Sequence, residues 1–179
     1  MSYASGTSNI ISGSFETPSG RTQRPTSAFP REALFDRIGM TSAVIEPDAA
    51  GTFVGSSYVY ATARDWARFG QLLLQDGVWE GKRILPEGWV EYTATPAPSA
   101  PQGGYGAHVW LNRGRAGSAG DVRWPDLPHD IVVAAGHGGQ ILAIVPSRRV
   151  VIVRFGESRW DHVSDTNRIV ADVLNGMEE

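Results

Sequence analysis

Apolar positions along this chain repeat at a helical period in its first half and at a strand period in its last third. Ala33, Leu34, Arg37 and Ile38 recur at three and four after Pro30, which predicts a helical segment ending at Gly39. Met40 to Phe53, with Pro47 and Gly51, reads as irregular or extended. The clearest helix begins near Thr62, a suitable N-cap, with Asp65 three positions later at the positive helix start. Trp66, Phe69, Leu72 and Leu73 give it one broad apolar face, and Asp76-Gly77 stops it. Glu80-Gly81-Lys82 reads as a turn, and Pro86 fits the first turn of a second helix running to about Tyr92.

Thr95 to Gly104 is a loop by composition. Tyr105 to Leu111 alternates as a strand would, with Ala107, Val109 and Leu111 on one face and His108 and Trp110 on the other. Arg113 to Gly120 reads as a turn, Trp124 to Pro128 as irregular and Ile131-Val132-Val133 as a short strand. Ile141 to Val145, Pro146-Ser147-Arg148-Arg149, then Val150 to Phe155 predict an antiparallel hairpin. Both strands are nearly all apolar, which predicts cover on both faces. A final helix from about Asp165 to Leu174 places Ile169, Val170, Val173 and Leu174 on one stripe. At the other end, Asn9-Ile10-Ile11-Ser12 is a candidate helix start, and Thr17 to Ser27 is rich in turn formers.

These elements predict an α/β (α+β) architecture: a mainly helical and loop region over residues 1–100, then a sheet with a C-terminal helix over 101–179. At 179 residues the chain is one domain with a sizeable core or a substantial piece of a larger one. The formal charge of -3 argues against nucleic acid or an anionic membrane as the main partner. With no cysteine there is no disulfide, thiolate metal site or cysteine nucleophile, a composition compatible with either the periplasm or the cytoplasm of a bacterium. No stretch approaches the roughly 18 apolar residues of a spanning helix. Met1 to Gly6 lacks the basic and apolar regions of a signal peptide.

Candidate chemistry concentrates in two places. Gly136-His137-Gly138-Gly139-Gln140 feeds directly into the apolar run Ile141 to Val145. Glycines beside a histidine allow close backbone approach, and backbone N–H groups held rigidly by a strand can stabilise a developing oxyanion. Tyr3-Ala4-Ser5 places a phenol beside small hydroxyl side chains, which suits proton exchange. Against these stands an absence: the only lysine is Lys82, in a turn read as exposed, and no Ser-x-x-Lys occurs. There is no Gly-x-Ser-x-Gly elbow. His129-Asp130 with His137 lacks metal-ligand spacing, so no metal or cofactor is expected. His108 and His162 read as structural or surface residues, and Trp110, Trp124 and Trp160 as packing or partly exposed loop residues, with pocket lining the alternative.

Taken together, Tyr3-Ala4-Ser5 and His137-Gly138-Gly139 resemble the second and third motifs of the serine β-lactamase-related hydrolases, in the right order. That family includes class C β-lactamases, D-alanyl-D-alanine carboxypeptidases, esterases and 6-aminohexanoate-dimer hydrolases. Leu34 to Met40, Gly55-Ser56-Ser57, Ala61 to Gly70 and Gly77-Val78-Trp79 extend the resemblance over nearly the whole chain. It implies the penicillin-binding-protein-like fold, present as its C-terminal portion. By motif position, Tyr3 resembles the residue that moves protons between nucleophile and leaving group. Ser5 resembles a holder of the substrate carbonyl or amide, His137, Gly138 and Gly139 line the site, and the backbone N–H of Gln140 is one of two oxyanion donors.

The departures shape the functional expectation. Without Ser-x-x-Lys the chain has neither the nucleophile nor its activating lysine, and it is expected to be inactive alone. An unperturbed tyrosine ionises near pH 10, so Tyr3 needs a neighbouring cation to act as a base. Histidine in place of lysine in the third motif removes a fixed positive charge, favouring an esterase, amidase or peptidase relative over an efficient β-lactamase. The expected partners are a small ester, amide or peptide substrate and a segment carrying Ser-x-x-Lys. Two rivals are a non-catalytic binding protein of the same fold and one half of a split enzyme. An incomplete sheet with an open apolar edge also predicts poor solubility alone.

Overall fold

The computed structural model of the protein describes residues 28–49, 51–100, 103–114, 122–158 and 165–177. The chain divides into two compact units, Met1–Asp65 and Trp66–Glu179. In the first, the expected helical segment forms as one wide turn, Arg31–Phe35, followed by a tight one, Asp36–Ile38. Gly39 ends it with a left-handed φ of 71°. Among the described residues of this unit, Phe35, Ile38, Met40 and Ala43 are the buried apolar ones. The segment read as irregular or extended contains a two-residue strand, β1 (Val44–Ile45), antiparallel to β2 (Val59–Tyr60).

Helix α1 (Ala63–Leu74) starts where its cap predicts: the Asp65 N–H donates to Thr62 Oγ1 at 3.3 Å. The helix stops at Asp76 and Gly77, both at positive φ. The following turn is tighter than expected. β3 (Val78–Trp79) and β4 (Lys82–Arg83) pair as a hairpin. Glu80 and Gly81 between them have φ of 48° and 76°, the doubly left-handed turn whose twist matches two strands. Lys82 is exposed on it, as anticipated. The second helix, α2 (Trp89–Thr93), begins three residues later than the Pro86 signal suggests, because Gly88 is left-handed and resets the chain.

The main sheet has four antiparallel strands in the order β5-β6-β7-β8: β5 (Trp110–Leu111), β6 (Val132–Ala135), β7 (Ile141–Val145) and β8 (Val150–Arg154). The hairpin of β7 and β8 forms in the expected register, closing with Val145 opposite Val150. Every residue of β7 is buried, as its composition predicts. Among the described residues β8 lies at the edge of the sheet, and of its residues Ile152 alone is buried.

One sheet face joins Val133, Ile141, Ala143, Val145 and Ile152 to Val170 and Leu174 of α3 (Thr166–Asn175), with Trp124, Leu127 and Ile131 completing the core. Each fully buried valine or leucine there contributes roughly 1.5–3 kcal/mol. Helix α3 is capped by Asp165, whose Oδ1 accepts from the Arg168 N–H at 3.1 Å. Val173 turns outward instead of joining the apolar stripe, at 41% exposure. On the opposite face, Leu142 and Val151 meet α1 at Gly70, where the absence of a Cβ lets the helix approach the strands.

Tyr105 to Leu111 is not the continuous strand its alternation predicts. The Gly106 N–H donates to the Val109 carbonyl at 2.9 Å, His108 sits at a φ of 64°, and Tyr105 pairs with Trp110 across the reversal. The aromatic residues meet edge to face at 4.8 Å between ring centres. A tight turn closed by its own hydrogen bonds overrides the alternation of Ala107, Val109 and Leu111.

Candidate active site

Residues 136–140 form the loop joining β6 to β7. The ladder ends at the pair Ala135 and Ile141, and the Gly136 N–H donates to the Gln140 carbonyl at 2.8 Å just beyond it. Within this frame His137–Gly139 makes a single tight turn, and Gln140 returns to extended backbone at φ -67°, ψ 140°. Gly138 lies in the left-handed region at φ 66°. A Cβ there would sit 3.1 Å from Glu157 Cγ and 3.3 Å from its Cα. Conformation and space both call for glycine.

The turn is held from below by the end of β8. Arg154 donates through Nη1 to the Gly139 carbonyl at 2.7 Å and to the Gly156 carbonyl at 3.3 Å. Its Nη2 donates to Ser158 Oγ at 2.9 Å. The Ser158 N–H donates in turn to the Gly138 carbonyl at 2.7 Å. Two successive carbonyls of the glycine turn are thus gripped from one side. Arg154, Glu157 and Ser158 escaped the sequence reading. The available signal was a lone arginine closing an apolar strand beside Gly156.

The His137 side chain is exposed, and Gln140 is half-buried. The Gln140 N–H donates to the His137 carbonyl at 3.4 Å, a long and weak bond. That carbonyl also accepts from Gln140 Nε2 at 3.0 Å. A stronger acceptor arriving at the turn can therefore take the Gln140 N–H without leaving the His137 oxygen unpaired. His137, Gly138, Gly139 and Gln140 are contiguous on this loop. Tyr3 and Ser5 lie outside the described residues, as do Trp160 and His162.

The remaining candidates have other partners. Asp130 accepts from the Ser147 N–H at 2.6 Å and from Ser147 Oγ at 2.9 Å, tying the entry of β6 to the β7–β8 turn. Trp124 belongs to the core. Trp110 lies under Arg123, whose guanidinium carbon is 4.1 Å from its ring centre. Among the described residues no helix is long and apolar enough to cross a membrane.

Comparison with known proteins places the chain in a family. The sequence model of the beta-lactamase family, described as Beta-lactamase, matches residues 1–172. The 6-aminohexanoate-dimer hydrolase of Paenarthrobacter ureafaciens is 30% identical over 129 residues, covering 66% of this chain and 29% of that protein. A solved structure from Bacillus anthracis, provisionally assigned as a 6-aminohexanoate-dimer hydrolase, superposes with a TM-score of 0.75 at 26% identity. It covers 99% of this chain and 44% of its own. A β-lactamase structure from Mycobacterium bovis shares the fold with a TM-score of 0.69 at 15% identity, over 98% of this chain and 63% of that one. The chain spans less than a third of the Paenarthrobacter enzyme and less than half of the Bacillus one. With the family's sequence model running through nearly all of it and its mixed, antiparallel α/β fold shared with these structures, the chain belongs to the beta-lactamase family.

Proposed function

We propose that the protein is a serine hydrolase acting through an acyl-enzyme on a small ester, amide or peptide, and that these residues are the C-terminal portion of its catalytic domain. Within that portion, residues 1–100 form the mainly helical and loop region and 101–179 the sheet with its C-terminal helix. The observation that carries the reading is the Gly136–Gln140 loop, a glycine turn clamped at the head of a buried strand with a weakly engaged N–H at its end. A serine from a Ser-x-x-Lys segment outside these residues would attack the substrate carbonyl, forming a C–O bond. The oxygen's developing charge would be received by the Gln140 N–H, with the serine's own N–H as second donor. Tyr3 would pass the serine proton to the departing alcohol or amine as its bond to carbon breaks. Water would then release the acid and restore the serine. Ser5 would hold the substrate's amide or carbonyl, and His137 would line the site. The relatives' names make linear amides of 6-aminohexanoate a reasonable first substrate.

The test is to assay p-nitrophenyl acetate and a linear 6-aminohexanoate amide with the chain alone and with a Ser-x-x-Lys segment encoded beside it. Turnover only in the second case, with an acyl adduct on that serine by mass spectrometry, is the expected result. The absence of any adduct in both overturns it. The missing Ser-x-x-Lys also supports a second reading, a binding protein of the same fold, for which reversible micromolar capture of an amide without acylation is the expected signature.

A further inference from the structure

We infer that Arg154 is a positioning residue that sets the direction and donor strength of the Gln140 N–H, an inference that rests on the hydrolase reading for its catalytic meaning. The peptide unit joining Gly139 to Gln140 is planar and trans, so its C=O and N–H point in opposite directions. Arg154 Nη1 holds that C=O at 2.7 Å. Fixing the oxygen fixes the N–H on the far side of the same plane. The bond is charge-assisted, and withdrawing electron density from the carbonyl makes the N–H of that peptide a better donor.

A second contact removes the remaining freedom. The Ser158 N–H holds the Gly138 carbonyl at 2.7 Å, and Ser158 Oγ receives Arg154 Nη2 at 2.9 Å. Two consecutive peptide planes of the turn are therefore anchored to one short segment, residues 154–158. Glycines at 138 and 139, both at positive φ, would otherwise leave these planes the freest in the loop. Arg154 touches neither substrate nor nucleophile in this scheme. Its effect is to keep the donor aimed before any substrate arrives, which lowers the reorganisation needed as the oxyanion forms.

The experiment follows amide hydrogen exchange and nitrogen chemical shifts in the ¹⁵N-labelled chain carrying Arg154→Met, Arg154→Lys or Ser158→Ala. In Arg154→Met the Gln140 amide should exchange about tenfold faster, with the largest shift changes at Gly139 and Gln140 and the β7 amides unmoved. Arg154→Lys should restore part of the effect. An unmoved Gln140 amide in a folded Arg154→Met chain overturns the inference. If that variant does not fold, Ser158→Ala carries the test on the same readout: selective movement at Gly139 and Gln140 supports the inference, and its absence overturns it. In the protein competent for ester hydrolysis, Arg154→Met should lower kcat by about 10–100-fold with KM little changed. An unchanged kcat there also overturns it. Failure of the hydrolase reading looks different: the wild type forms no acyl adduct, while the Gln140 amide still responds to Arg154→Met.

Discussion

Asn112 and Trp124 bond to each other in both directions: the Trp124 N–H donates to Asn112 Oδ1 at 2.8 Å, and Asn112 Nδ2 donates to the Trp124 carbonyl at 2.9 Å. The same Nδ2 reaches the Leu127 carbonyl at 3.1 Å and the Pro128 carbonyl at 3.3 Å. Asn112 is wholly buried, so one side chain takes the place of solvent for the irregular segment after residue 122. That segment supplies Trp124 and Leu127 to the core beneath β6 and β7, the strands that carry the Gly136–Gln140 loop.

Replacing Asn112 with leucine of similar volume should therefore destabilise the protein by about 3 kcal/mol or more, because several buried backbone groups lose their partner together. Asn112→Asp should be at least as damaging, since a carboxylate has no donor to offer three carbonyls. Urea unfolding followed by tryptophan fluorescence measures both.

Gly70 faces Val151 and Leu142 across the helix–sheet contact, and a Cβ there would lie 2.5 Å from Val151 Cγ1 and 2.8 Å from Leu142 Cδ1. Gly70→Ala should cost about 1–3 kcal/mol through overpacking, despite the roughly 1 kcal/mol that alanine adds to helix propensity. Val151→Ala should relieve the closer part of the clash, leaving the contact with Leu142. The double variant is then more stable than the two single losses sum to, and thermal unfolding of all four proteins reads the coupling directly.

Gln140 offers a way to separate backbone from side chain. Its φ of -67° is the value a proline ring imposes. Gln140→Pro should delete the N–H while fitting the local φ, lowering kcat for ester hydrolysis by about 10²–10³ in the active protein. Gln140→Ala keeps the N–H and should remain within a few-fold of wild type. Equal losses in both would show that the side chain carries the effect.

Within the first unit, Asp65, which is 2% exposed, bonds to the turn at Ser42. Its Oδ2 accepts from the Ser42 N–H at 2.8 Å and from Ser42 Oγ at 2.5 Å, while Ser42 Oγ accepts from the Thr62 N–H at 2.9 Å. Asp65→Ala should destabilise by about 1–3 kcal/mol, and Asp65→Asn by less, because the amide oxygen still accepts from both donors. Melting temperatures of the two variants, compared at one pH, check the order.

How much of this was legible beforehand differs from segment to segment. The hairpin of β7 and β8 and the helices α1 and α3 could be read in advance because their signals are local. Apolar runs end at Pro146 and Gly156, Thr62 and Asp165 sit at cap positions, and helical stripes repeat every three or four residues. The turn at Tyr105 to Leu111 was misread because alternation describes side chains. What decides that segment is a backbone bond from Gly106 to Val109. Val173 was misplaced because a stripe gives the direction of an apolar face but not how far the neighbouring sheet extends over it.

For the candidate site, composition and order along the chain singled out the glycine turn at residues 136–140, because close backbone approach requires glycine wherever it occurs. Its anchoring was not legible. Arg154 reaches Gly139 across 15 positions, and Ser42 reaches Asp65 across 23, separations that leave no period and no motif in the text. The sequence by itself determined α1, α3, the β7–β8 hairpin and the position of a glycine turn ahead of the Gln140 N–H, since local sterics and burial patterns act within a few residues. Only the tertiary structure decided which side chains hold that donor in place, because antiparallel pairing brings the end of β8 beneath the start of β7 and juxtaposes groups that local chemistry never links.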